Sequence, residues 1–151
     1  MKLYFAGPLF CNAEKEFNKK LTKQIEKLGY EVFLPQGDGA IIDKEPYINM
    51  SNSEKAKVIF EIDKKEMFKS DIFLFVLDGR IPDEGACVAL GMVYMHKNLI
   101  NKNRILIGLQ TDKRAAYLYS KLNPMIEASM DYIVESVPEL LKFLKEKIIN
   151  K

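Results

Sequence analysis

A few acids, flanked by residues suited to holding a ligand, carry whatever chemistry this chain has. Asp78 and Asp83 follow directly on an unbroken apolar run, Ile72 to Leu77, in the stretch DIFLFVLDGRIPDEGACVALGM (71–92). Such a run is what a strand buried on both faces shows, and acids at the end of such a strand can bind a ligand or handle its protons. Asp83 has a second reading as the N-cap of the next helix, with Glu84 in the first turn where a carboxylate suits the macrodipole. Gly85, Ala86, Ala89 and Gly91 should keep that helix thin on one side, so that backbone or ligand comes close. Asp63 borders the apolar stripe of an earlier helix; it is either solvated at the stripe's edge or aimed into a crevice. Gln36 and Asn123 read as turn residues or as ligands, and Tyr4 and Phe10 as core-filling aromatics or as part of a site. Cys87 reads as a small buried hydrophobe, and His96 as a complement to a helix C-terminus.

The elements that must position these residues alternate. Residues 1–6 read as a first strand broken by Gly7-Pro8. Residues 13–28 read as a helix with Phe17, Leu21, Ile25 and Leu28 on one face, ending at Gly29. Residues 30–34 form a second strand, and 35–53 a long turn-rich connection of the kind that serves as a lid or binding loop. A helix over about 54–68 leads to the strand 72–77 and the slim helix from Asp83. A fourth strand spans 104–109, residues 111–130 look irregular or short-helical, 132–134 make a small fifth strand, and Pro138 opens a final amphipathic helix. This alternation predicts a parallel sheet with right-handed crossovers: an α/β, five-stranded, three-layer sandwich, Rossmann-like or flavodoxin-like, in a single domain over 1–151. The ligand crevice of such a sheet lies beyond the carboxyl ends of the strands. There the segment Gly7 to Asn12, the loop Pro35 to Asp38, the segment Asp78 to Asp83 and the segment after strand four converge.

Composition narrows the function classes. A net charge of +2 without a basic, aromatic-rich patch gives nucleic acid nothing to bind. Two cysteines fit a reducing compartment better than a disulfide framework, and a single histidine without metal-ligand spacing argues against a transition metal. No apolar run approaches the roughly 20 residues that span a bilayer, and the chain enters a strand at once without a signal peptide, so the expected location is cytoplasmic, with no membrane partner. Neither the dinucleotide fingerprint nor the P-loop follows any strand, so no cofactor is expected.

Taken together the positions resemble the nucleoside 2-deoxyribosyltransferase family. The likeness rests on LYFAGPLF (3–10), LPQ (34–36), Asp63 eight residues before Asp71, PDEGACVALG (82–91) and LNPM (122–125). Each is weak alone; in this order they are specific. The resemblance implies cleavage of the N-glycosidic bond of a 2′-deoxynucleoside and transfer of the deoxyribosyl group to a free nucleobase through a covalent glutamyl intermediate. It implies Asp63 as the acid facing the base, Asp83 as holder of the sugar hydroxyls and Tyr4 as the residue orienting the nucleophile. Gly7, Phe10 and Gln36 would line the substrate site. Asn123 and Met125 would reach the sugar 5′ end, in this family often from a neighbouring subunit, which implies a homo-oligomer between dimer and hexamer.

One position departs from the pattern. The nucleophile should stand six residues after Asp83, and Ala89 stands there. Glu84 is no obvious substitute, since five helical residues put it about 7.5 Å and 140° away. The expectation is a chain without the covalent step. It is either an engineered nucleophile knockout, favoured because the other site positions are kept, or a natural relative that only binds nucleosides. The rival within enzymes is a 2′-deoxynucleoside 5′-monophosphate N-glycosidase. Arg80 and Arg114 speak for it, whereas Asp83 would repel a phosphate.

Overall fold

The computed structural model describes residues 1–112 and 122–149. Five strands, β1 (Lys2–Ala6), β2 (Glu31–Phe33), β3 (Ile72–Val76), β4 (Ile105–Leu109) and β5 (Tyr132–Val134), form one sheet in the order β2-β1-β3-β4-β5. Every pairing is parallel. The order is the flavodoxin-like one of the two expected forms, and its switch point lies between β1 and β3. Helices α1 (Asn12–Glu26), α2 (Pro35–Asp38), α3 (Asn52–Lys69), α4 (Glu84–Leu99), α5 (Pro124–Ser129) and α6 (Val137–Ile149) complete the described chain. Among the described residues no helix is long and apolar enough to cross a membrane. Arg114 lies outside the described residues.

Side chains alternate across the strands and build two different layers. Leu3, Phe5, Ile72, Leu74, Val76, Ile107 and Leu109 face α1 and α6, which bury Leu21, Ile25, Leu140 and Leu144 against them. Tyr4, Ala6, Phe33, Phe73, Phe75 and Leu106 face the other way, toward Met67 of α3 and Ala86, Ala89, Leu90 and Val93 of α4.

Helix α3 begins earlier than its apolar pattern predicts, because Ser51 and Glu54 form a reciprocal capping box: Ser51 N donates to Glu54 Oε2 (2.8 Å) and Glu54 N to Ser51 Oγ (3.3 Å). Its C-terminal carbonyls are taken up by buried Arg104, which donates to Phe68 O (2.5 Å) and Ser70 O (2.9 Å). The same guanidinium donates to His96 Nδ1 (2.8 Å), and the imidazole stacks on Phe68. Burial, then the Arg104 charge, lowers the His96 pKa. His96 is therefore a neutral acceptor held by an arginine, not the cation at a helix end that the sequence predicts.

Candidate active site

The sequence delivers one aromatic of β1 into a fixed orientation. Tyr4 pairs in register with Phe33 of β2 and Phe73 of β3, and its ring stacks on both, at 5.5 Å and 5.7 Å between centroids. The phenol is thus clamped in the sheet and its hydroxyl is carried toward α3. There it meets Asp63. Burial first, and then the Asp63 charge and hydrogen bond, push the Tyr4 pKa far above its ordinary value. Burial likewise raises the Asp63 carboxyl above the usual carboxylate range, and the hydrogen bond from Tyr4 opposes part of that rise. Of the two readings open for Asp63, the one aimed into the crevice is correct.

The crevice is a cavity of about 910 Å³, within the size range of small-molecule sites, over the carboxyl ends of β1 and β2 and beside the N-terminus of α4. Tyr4, Gly7, Phe10, Gln36, Asp63, Asp83 and Ala89 all line it. Gly7 admits no side chain: its φ is +155°, and a Cβ there would stand 2.9 Å from Val76 Cβ. Gln36 is presented by the one-turn helix α2, which Pro35 opens and whose entry Asp38 fixes by accepting from Leu34 N (2.7 Å). The Gln36 amide is itself held, Oε1 accepting from Asn18 Nδ2 (3.1 Å) and Nε2 donating to Lys15 O (2.9 Å). Phe10 is 74% exposed, which removes its reading as a core filler and leaves it at the cavity's edge.

Asp83 is the N-cap that the sequence predicts, and it also stands in the cavity wall. Its Oδ1 accepts from Ala86 N (2.7 Å) as the N-cap of α4, and the same residue lines the cavity. Ala89, buried, follows on the inner face of α4, while Glu84 is exposed and off the cavity. The thin side of α4 is narrower than predicted: Gly85, Ala86 and Ala89 meet the cavity, but Gly91 is exposed with nothing near it. Asp78 serves the scaffold. It accepts from Thr111 N (2.6 Å), Thr111 Oγ1 (2.5 Å) and Asp112 N (2.8 Å), tying the end of β3 to the end of β4. Cys87 is half-buried against the α4 core, and burial raises its thiol pKa.

Asn123 and Met125 are not brought to this cavity. Asn123 caps α5, its Oδ1 accepting from Met125 N (2.9 Å), and Met125 is exposed. Conversely, the cavity has walls that the sequence reading passed over. Ala56, Phe60, Asp63 and Met67 recur at helical spacing on α3, and Ile59 and Phe60 are partly exposed because they face this open space. The spacing 56, 60, 63, 67 was the available signal. Asp43 and Lys15 complete the rim, with no sequence signal of their own.

The sequence model described as nucleoside 2-deoxyribosyltransferase matches residues 3–140. No curated protein matches the chain. Among solved structures, a conserved protein from Enterococcus faecalis V583 is 28% identical, over 97% of this chain and 98% of that one, with a TM-score of 0.77. The 2-deoxyribosyltransferase from the psychrotolerant bacterium Bacillus psychrosaccharolyticus is 18% identical, over 93% of this chain and 90% of that one, with a TM-score of 0.69; that likeness speaks to the fold.

Proposed function

Since the chain belongs to the nucleoside 2-deoxyribosyltransferase family, we propose that its cavity holds a 2′-deoxynucleoside and exchanges its nucleobase only when residue 89 is a glutamate. The observation that carries this reading is the gathering of Tyr4 of β1, Asp63 of α3, and Asp83 and Ala89 at the start and on the inner face of α4 on one cavity. In the proposed complex Phe10 and Gln36 contact the base. Asp63, whose pKa burial raises, faces the leaving base as its general acid. Asp83, pinned by Ala86 N, accepts from the sugar hydroxyls. Ala89 supplies no nucleophile, so the covalent deoxyribosyl-enzyme of the family does not form here.

The exposed Asn123 and Met125 are proposed to act in a neighbouring copy of a homo-oligomer, because their own cavity lies elsewhere. The monophosphate N-glycosidase reading is weaker. It asks for cations at the sugar 5′ end, and the cation on the described wall, Lys15, stands beside Gln36 at the base end.

The test is base exchange, deoxyinosine plus adenine, on this chain and on Ala89→Glu. The variant is expected to form deoxyadenosine at a rate on the order of 10⁶-fold above the parent, the scale on which removal of a nucleophile acts. Rapid exchange by the parent chain would overturn the assignment of position 89. Titration with deoxyadenosine, its monophosphate and adenine checks the substrate class, and tightest binding of the monophosphate would favour the rival.

A further inference from the structure

The end of the cavity at Phe10 and Gln36 is held by the first turns of α1. Glu14 Oε2 accepts from Phe10 N (2.8 Å) and Cys11 N (2.9 Å), which fixes the turn that carries Phe10. One helical turn on, Asn18 is 2% exposed and is not part of the cavity wall. Its Nδ2 donates to Pro8 O (2.8 Å) and to Gln36 Oε1 (3.1 Å). Gln36 Nε2 in turn donates to Lys15 O (2.9 Å).

Two backbone carbonyls end this chain of hydrogen bonds, and a carbonyl only accepts. Pro8 O therefore requires the nitrogen of Asn18, whose second hydrogen then requires the oxygen of Gln36. Lys15 O independently requires the nitrogen of Gln36. The two ends agree, so the Gln36 amide is held one way round. A primary amide has two N–H donors and an oxygen with two lone pairs. Gln36 thus keeps one N–H and one lone pair, and it stands in the cavity wall. An adjacent donor and acceptor of this kind is what an amide side chain uses to read a purine edge.

Resting on the proposed nucleoside binding, we propose that Asn18 is a positioning residue for base selection: by locking the Gln36 amide it makes the site tell a 6-amino from a 6-oxo purine. Adenine carries an N–H donor where hypoxanthine carries a carbonyl acceptor. A freely turning amide serves either base by rotating. The locked amide does not, because rotation would set Gln36 Oε1 against Lys15 O and Nε2 against the Asn18 amino group. The sugar removes the other escape, since it ties the base in one pose. The mismatched base leaves polar groups unpaired, and that is the costly outcome.

Isothermal titration of deoxyadenosine and deoxyinosine reads this as the ratio of their Kd values, which a general loss of folded protein does not move. The parent is expected to separate the two by about 10-fold or more. Asn18→Leu, close in size but without a donor, should still bind both nucleosides and bring the ratio toward one. Asn18→Ser, with one hydroxyl donor for two acceptors, should lie between, and it carries the test where leucine is not tolerated. In a Gln36→Leu background, Asn18→Leu should change the ratio no further, because its effect passes through the amide. A parent ratio near one, with both nucleosides bound, would overturn the selection. A ratio that survives the Asn18 variants would overturn the role of Asn18, as would an undiminished effect of Asn18→Leu without Gln36. Absence of binding of either nucleoside to the parent would overturn the nucleoside reading itself.

Discussion

Two tyrosines, equally buried on opposite faces of one sheet, show how the two faces differ. Tyr30 belongs to the α1/α6 side, and its hydroxyl donates to Leu144 O at 2.8 Å. Its pKa is pushed up to about 12 by burial and by the Asp71 charge, so at neutral pH it is an inert, satisfied donor. Tyr4 belongs to the α3/α4 side, and its hydroxyl meets a half-buried carboxyl at the wall of a cavity. The first tyrosine finishes a core; the second begins a site. The closed face is filled by leucine, isoleucine and phenylalanine from both layers. The open face gives α4 small residues and leaves α3's apolar stripe short of partners, with Met67 its one buried residue. Room for a ligand comes from what the second face does not fill.

Breaking the closed face should have the largest effect. Phe5→Ala removes a fully buried ring from the α1/α6 layer and should cost about 3–5 kcal/mol in urea unfolding. An equal loss from Phe60→Ala, on the open side and 46% exposed, would contradict the contrast. Next is Gly7→Ala, at the seam between the faces. Its φ and the 2.9 Å approach to Val76 Cβ should make it destabilising by about 1–3 kcal/mol, read as a lowered Tm, with weakened nucleoside binding.

Asp63→Asn sharpens the contrast in the opposite direction. The folded-state pKa of Asp63 lies above its unfolded value. Its contribution to stability is therefore complete below the unfolded pKa of about 3.9 and is lost as pH rises through the folded pKa. The asparagine variant has no such loss. It should match the parent in urea unfolding at low pH and exceed it at pH 7, where the parent holds a half-buried acid. Greater parental stability at pH 7 would mean that the carboxylate is well paired rather than strained. The smallest stability effect is that of Phe60→Ala itself, within about 0.5 kcal/mol. That variant should weaken nucleoside binding in titration, because the ring lines the cavity.

Much of this was legible in the chain. The run Ile72 to Leu77 marks the central strand because a strand covered on both faces has no polar side to show. Asp83 announces the start of α4, since a short acceptor before a helix satisfies its orphan amides. The alternation of strands and helices predicts the parallel sandwich. Other residues were ambiguous for a definite reason. Asp63 sits at an apolar stripe, and local periodicity cannot say whether such a stripe meets a packed helix, solvent or a cavity. His96 looked like a helix-end cation until Arg104, just before β4, took its ring nitrogen. Asp78 looked like a site acid until the residues after β4 closed on it.

By itself the sequence determined the order and kind of the elements, the family likeness and the alanine at 89, because each of these is written in neighbouring residues. Only the tertiary structure decided that β1 and β3 lie side by side, that the α3 stripe opens on a cavity, and that Tyr4 meets Asp63 there. It alone placed Asn123 and Met125 away from that cavity. The physical reason is sequence distance. Each of these relations joins residues tens of positions apart, and the sheet order and the packing of helices over it, not any local pattern, bring them together.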